Sequence, residues 1–158
     1  MADFLWFRAE YPWLGAGFVH AVAEDYAGRL ATSLRERDFA ILEIDGREQR
    51  NLHDQLSQVF ALPDYRNDAV PRPADATPSW DALNDYFGDT DLPARAVLLW
   101  HGADRFAARH PKIFAEACVV LTQIFNAASA QQKQLVLVLA GDGADFKRPP
   151  AADRSDRL

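Results

Sequence analysis

The sequence predicts an α/β protein with a three-stranded parallel sheet flanked by helices. Two runs, 96–100 and 135–140, are apolar at every position, which is typical of strands covered on both faces. A third strand is predicted over 39–44 and ends at the turn dipeptide Asp45-Gly46. Segments with helical spacing of apolar residues lie between these strands. That alternation favours parallel strands joined by right-handed crossovers.

Helices within this region are predicted over about 51–60, 80–87 and 111–128, and a weak helical turn is predicted over 103–109. Ser79 is a suitable N-cap for the second of them, and Gly88 is its expected stop. Pro111 stands where a helix tolerates proline, in the first turn. A proline-containing loop separates the first two helices, and long loops in compact domains are often functional.

The chain of 158 residues is long enough for a core that needs neither disulfides nor metal. We divide it into three parts. Residues 1–38 are expected to form an aromatic-rich arm, over 1–20, and a helix over about 22–37 that packs on the domain. Self-association is the alternative role for the arm. Residues 39–140 form the main domain, and residues 141–158, rich in Gly, Pro and charge, form a disordered tail.

The single cysteine, Cys118, excludes an intramolecular disulfide and suits a reducing cytoplasm, where we expect this protein. The sequence has no apolar run long enough to span a membrane and no secretory signal pattern, so no membrane association is expected.

Acidic residues are concentrated in one stretch. The net charge is −6, and residues 64–91 carry −5 of it, with seven acids against two bases. A solvated loop is one interpretation, because Asp is a common turn residue. A surface for a cationic protein partner is the other. The acidic balance argues against nucleic acid as a partner.

Asp81 and Asp85 lie one turn apart on the same face of the predicted helix over 80–87. Like charges at this spacing destabilise a helix by about 0.2–0.5 kcal/mol. The helix dipole offsets part of this cost at Asp81, in the first turn, but not at Asp85. The pair is therefore either a tolerated surface feature or part of a patch that awaits a cationic partner.

Enzymatic chemistry is not predicted. No two histidines have metal-ligand spacing, and no phosphate-binding motif is present, so neither a metal nor a cofactor is expected. Cys118 falls on the apolar stripe of a helix, where a buried small residue is the simpler interpretation. His53 is expected to face solvent, and His101 is expected to end a strand.

Several stretches together carry a family resemblance. They are Ile41–Gly46, Leu52–Leu56, Ala61–Tyr65, Trp80–Asp85, Ala96–Trp100, Val120–Phe125 and Leu135–Ala140. In their order and spacing they resemble the barstar family, intracellular inhibitors of the bacterial ribonuclease barnase, over residues 39–140. The resemblance implies a small three-stranded parallel sheet and an acidic helix that, with the loop before it, covers a ribonuclease active site.

Partner-binding residues follow from this resemblance. Asp81 and Asp85 match the family's two helix aspartates, and Tyr65 matches the tyrosine that begins its binding loop. Trp80 and Tyr65 would add buried aromatic area around the carboxylates, although either ring can instead belong to the core. The implied partner is a cationic protein, a bacterial ribonuclease or other toxin, and the free protein is expected to be a monomer.

The sequence departs from the family pattern in two places, and it also allows a second register. Residues 66–78 replace a short loop, and residues 126–128 lack the family's further carboxylate near the end of the long helix. The second register aligns Trp80-Asp81 with a later Trp-Asp pair of the family and puts Thr77 at the first aspartate. We prefer the register that keeps both acids. The alternative function is an interaction module of the same fold that binds a different partner through residues 66–78 or the N-terminal arm.

Overall fold

The structure, a computed structural model, describes residues 17–48, 50–62, 72–73 and 75–148. The elements along the chain are β1 (Val19–Ala23), α1 (Glu24–Arg35), β2 (Ala40–Asp45), α2 (Leu52–Val59), α3 (Trp80–Asp89), β3 (Arg95–His101), α4 (Ala103–Arg109), α5 (Pro111–Ser129) and β4 (Gln134–Gly141). All strands are parallel, in the order β1-β4-β3-β2. The α/β class and the parallel sheet are confirmed, but the prediction of three strands is wrong, because β1 adds a fourth.

The spacing of Val22 and Tyr26 explains why this strand escapes prediction. The two residues are four apart and fit one helix face, so they predict a helix from about residue 22. Val22 instead lies in β1, opposite Ala140 of β4, and the helix begins at Glu24. Both side chains are buried in the same core. The last buried residue of the strand and the first buried residue of the helix therefore point into one core. Because they are four residues apart, they look like one side of a single helix.

Helices cover both faces of the sheet. The connection from β1 to β2 crosses the sheet in one direction, and the two later connections return in the other, so right-handed crossovers place α1 on one face and α2–α5 on the opposite face. The core under α1 includes Leu30, Leu34 and Val138. The larger core, under α2–α5, includes Trp100, Leu121 and Phe125. The central strands β3 and β4 are buried along almost their whole length, as the continuous apolar runs predict.

Sequence signals locate the helix ends to within about two residues. Ser79 is the N-cap of α3 and Pro111 begins α5, as predicted, whereas α3 continues past Gly88 to Asp89. In the part of the chain that the structure describes, no helix is long and apolar enough to cross a membrane.

The chain after β4 returns to β1. The amide of Ala23 donates to the carbonyl of Lys147 at 2.9 Å, and the amide of Lys147 donates to the carbonyl of Ala21 at 2.9 Å. Arg148 forms a surface ion pair with Asp25 of α1. The rest of the expected tail lies outside the described residues, as does the arm up to residue 16.

Candidate functional site

The two candidate aspartates lie on the solvent side of α3. Leu83 and Phe87 are buried and fix the opposite side of this helix against the larger core. Asp81 and Asp85 are therefore exposed, one turn apart, as the helical spacing predicts. Asp81 also occupies the first turn, where the helix dipole favours a negative charge.

The charges of Asp81 and Asp85 have no ion-pair partner in the described part of the chain. Helix α3 itself contains no basic residue. Asp91, just beyond the helix, differs because Lys133 pairs with it at 3.0 Å. The face of α3 thus offers two uncompensated negative charges to solvent.

Trp80 is partly buried and packs against the larger core at the start of α3. Its indole Nε1 is buried, and no described residue accepts a hydrogen bond from it. The ring therefore helps to seat the first turn of α3, and part of its surface remains exposed. Tyr65, the other aromatic candidate, lies outside the described residues.

The end of the long loop is attached to the start of α2 through Asn51. The side-chain oxygen of Asn51 caps α2 by accepting from the amide of His53 at 2.8 Å. Its amide nitrogen donates to the carbonyls of Pro73 and Ala76, at 2.7 and 3.0 Å. Asn51 is 1% exposed, so these bonds are shielded from water and fix the path of the loop.

A second attachment lies beside the first. The Asp54 carboxylate accepts from the Arg72 backbone amide at 2.8 Å and pairs with the Arg72 guanidinium. Both side chains are mostly buried. We call Asn51, Asp54 and Arg72 the loop anchor. The last backbone group that it holds, the carbonyl of Ala76, lies three residues before the N-cap of α3, so the anchor determines how the chain enters that helix.

His53 also supports α3, contrary to the expectation that it faces solvent. It is 1% exposed, and its ring meets Tyr86 of α3 edge to face, with 6.4 Å between ring centroids. The amphipathic pattern of α2 assigns this position to water, but it carries no information on the contact with Tyr86, which lies on a helix far along the chain. His101 does end β3, as predicted.

The described residues offer little for covalent or metal chemistry. No group of three or more His, Cys, Asp or Glu residues within them is arranged to hold a metal ion. Burial raises the pKa of the Cys118 thiol to about 11, so almost no nucleophilic thiolate forms near neutral pH. The exposed acidic helix and its supports are thus the best-defined candidate site, and their chemistry favours binding.

Comparison with known proteins identifies this arrangement. The family model described as Barstar (barnase inhibitor) matches residues 39–140. A search of curated proteins finds no match. The matched segment is more than half of the chain and runs from the start of β2 to the end of β4. It includes α3 with both aspartates and leaves β1 and α1 outside. The chain therefore belongs to the barstar family.

Proposed function

We propose that this protein inhibits a bacterial ribonuclease or related RNA-cleaving toxin by covering its active site with α3. The observation that supports this most strongly is the pair of exposed, uncompensated carboxylates, Asp81 and Asp85. A ribonuclease cleft must be cationic because it holds phosphodiesters. Two carboxylates on a rigid helix can occupy the positions of two phosphates without being substrates.

The charge distribution would also accelerate binding. Residues 64–91 hold −5 of the net charge of −6. An acidic patch of this kind steers a cationic partner towards one face and raises the association rate, an effect that falls as salt is added. The binding residues in this proposal are Asp81 and Asp85, with Trp80 and Tyr65 contributing aromatic surface beside them.

Helix α3 is held in its binding conformation in the free protein. Buried Leu83 and Phe87 fix its inner side, and the loop anchor fixes the chain that enters it. Binding therefore costs little conformational entropy at α3, which favours high affinity. We propose that the protein acts in the cytoplasm as a monomer, where it would protect RNA from the toxin. It performs no reaction itself.

The test is inhibition of RNA hydrolysis. The full-length protein would be titrated into purified barnase and, separately, into the ribonuclease fraction of the native cell. We expect stoichiometric inhibition of at least one of the two, with slower association at raised salt. If neither activity is inhibited at micromolar concentrations of the protein, the proposal is wrong. Capture from the lysate of a partner that cleaves no RNA and does not respond to salt would instead favour the interaction module.

A further inference from the structure

A groove runs beside the acidic face, between α3 and the end of α5. Its volume is about 200 Å³. A cavity of about 150 Å³ holds a benzene ring, so the groove has room for one large side chain. The buried part of its lining is apolar and comes from both helices and the segment after α3: Phe87, Leu92, Ile124 and Ala128. Polar side chains complete the lining: Asn84, Thr90, Gln131 and Lys133.

The groove is continuous with the surface that carries the two aspartates. Asn84 and Gly88 line it from α3, and they follow Asp81 and Asp85 by three residues each. Residues at these spacings share one side of a helix. A partner seated on the two carboxylates would therefore also cover the mouth of the groove.

The groove does not suit a cationic side chain. None of the described residues that line it is acidic. The ammonium of Lys133 lies at its edge and donates to Asp91 and to the carbonyl of Leu92. A second cation buried there would meet the like charge of Lys133, and the Asp91 carboxylate beside it is already paired with that lysine, which is unfavourable. Ala127, exposed on α5, leaves the rim open.

We infer that this groove receives one apolar side chain, aliphatic or aromatic, that projects from the ribonuclease beside its cationic cleft. This inference rests on the proposed inhibition and adds a second contact to it. The aspartates supply steering and charge pairing, and the groove supplies apolar burial at the edge of the interface. The groove would therefore favour a partner that has such a side chain over a cationic protein that lacks one.

Three single variants test the groove on the ribonuclease that the wild-type protein inhibits. Ala127→Leu fills the groove from an exposed position. We expect about tenfold weaker inhibition, through faster dissociation with an unchanged association rate. Ala115→Leu is the matched control, because Ala115 is an exposed alanine of the same helix that does not line the groove. It should inhibit like wild type. Thermal unfolding of each variant would verify that the fold is intact.

Ala127→Glu separates an apolar occupant from a cationic one. We expect it to weaken inhibition, because it places a charge at the mouth of an apolar site. Stronger inhibition by Ala127→Glu would overturn the inference in favour of a cationic side chain. Wild-type behaviour of Ala127→Leu would also overturn it, by placing the groove outside the interface. A wild-type dimer in sedimentation that Ala127→Leu dissociates would identify a second copy as the occupant and overturn it too.

The same measurements distinguish a failure of the proposed function from a failure of the groove inference. In the first case the wild-type protein itself inhibits no ribonuclease, and the inference fails with it. Inhibition that depends on Asp81 and Asp85 but not on residue 127 leaves the proposed function standing and removes only the groove.

Discussion

Contact between Glu24 and His101 joins the N-terminal segment, β1 and α1, to the domain over residues 39–140 that the family model matches. The Oε2 atom of Glu24 lies 2.8 Å from Nδ1 of His101, and its Oε1 accepts from the amide of Gly102 at 2.8 Å. Gly102 has a left-handed φ of +61°, which glycine adopts at little cost. One carboxylate from the start of α1 thus holds the corner between β3 and α4. Together with the β1–β4 pairing, it makes β1 and α1 part of the folded domain.

Glu24→Ala should destabilise the protein. The substitution leaves the Gly102 amide and the His101 ring without their acceptor in a partly buried corner, which costs about 1–3 kcal/mol. The free energy of unfolding from urea denaturation measures the loss. Asp25→Ala is the control, because the neighbouring Asp25 pairs with Arg148 at the exposed surface. Equal losses in the two variants would contradict the role of this corner.

Leu30→Ala tests whether α1 folds with the rest of the chain. Leu30 is 1% exposed and lies in the core between α1 and the sheet. Its truncation should lower the free energy of unfolding by about 2–5 kcal/mol while the transition remains single and cooperative. Thr32→Ala, at an exposed position of the same helix, should have little effect. A separate early transition in Leu30→Ala would show that α1 unfolds independently.

Asn51→Asp tests the loop anchor. The variant keeps an oxygen that caps α2 but loses the two bonds donated to Pro73 and Ala76. It also sets a buried carboxylate against those two carbonyl oxygens, so the total cost should be about 3–5 kcal/mol. Hydrogen exchange should become faster in the segment over 75–79, because its attachment to α2 is lost. Asn126→Asp, the same substitution at an exposed position of α5, should leave both quantities unchanged. Unchanged exchange over 75–79 in Asn51→Asp would contradict the anchor.

Cys118 should make stability depend on pH in the alkaline range. Burial raises the pKa of its thiol from 9.0 to about 11. Below the ordinary pKa the thiol is neutral in both states, and its contribution is fully present. Above it the unfolded state releases the proton first, so the native state loses stability as the pH rises towards the folded pKa.

The measurement compares urea unfolding at about pH 8 and about pH 10.5 in wild type and Cys118→Ala. Cys118→Ala loses some packing at both pH values, and it has no thiol that ionises between them. Its stability should therefore fall less between them than that of wild type. Equal falls in both proteins would mean that the thiol is not shielded from water.

The sequence reveals local features of the fold better than contacts between distant segments. The strands β3 and β4 are predictable because residues 96–100 and 135–140 are apolar throughout. The exposed positions of Asp81 and Asp85 on one side of α3 are predictable because helical spacing places them there. In contrast, β1 is recognisable only from its pairing with β4, far along the chain.

The supports of the site depend on such distant contacts. Asn51 reaches carbonyls 22 and 25 residues away, and the bonds depend on the path of a loop that has no periodic pattern. An asparagine before a helical segment predicts an N-cap, but it does not predict that the same side chain donates to the carbonyls of Pro73 and Ala76. The groove likewise exists only where α3 packs against α5.

The association rate with the inhibited ribonuclease shows whether Asp81 and Asp85 form the binding face. Asp81→Asn/Asp85→Asn would be compared by stopped flow at low salt with Asp142→Asn/Asp145→Asn, which removes the same charge from exposed positions in the turn after β4. Association should be about tenfold or more slower, and inhibition weaker, only for the α3 pair. Equal changes in the two double variants would mean that net charge, and not the face of α3, governs binding.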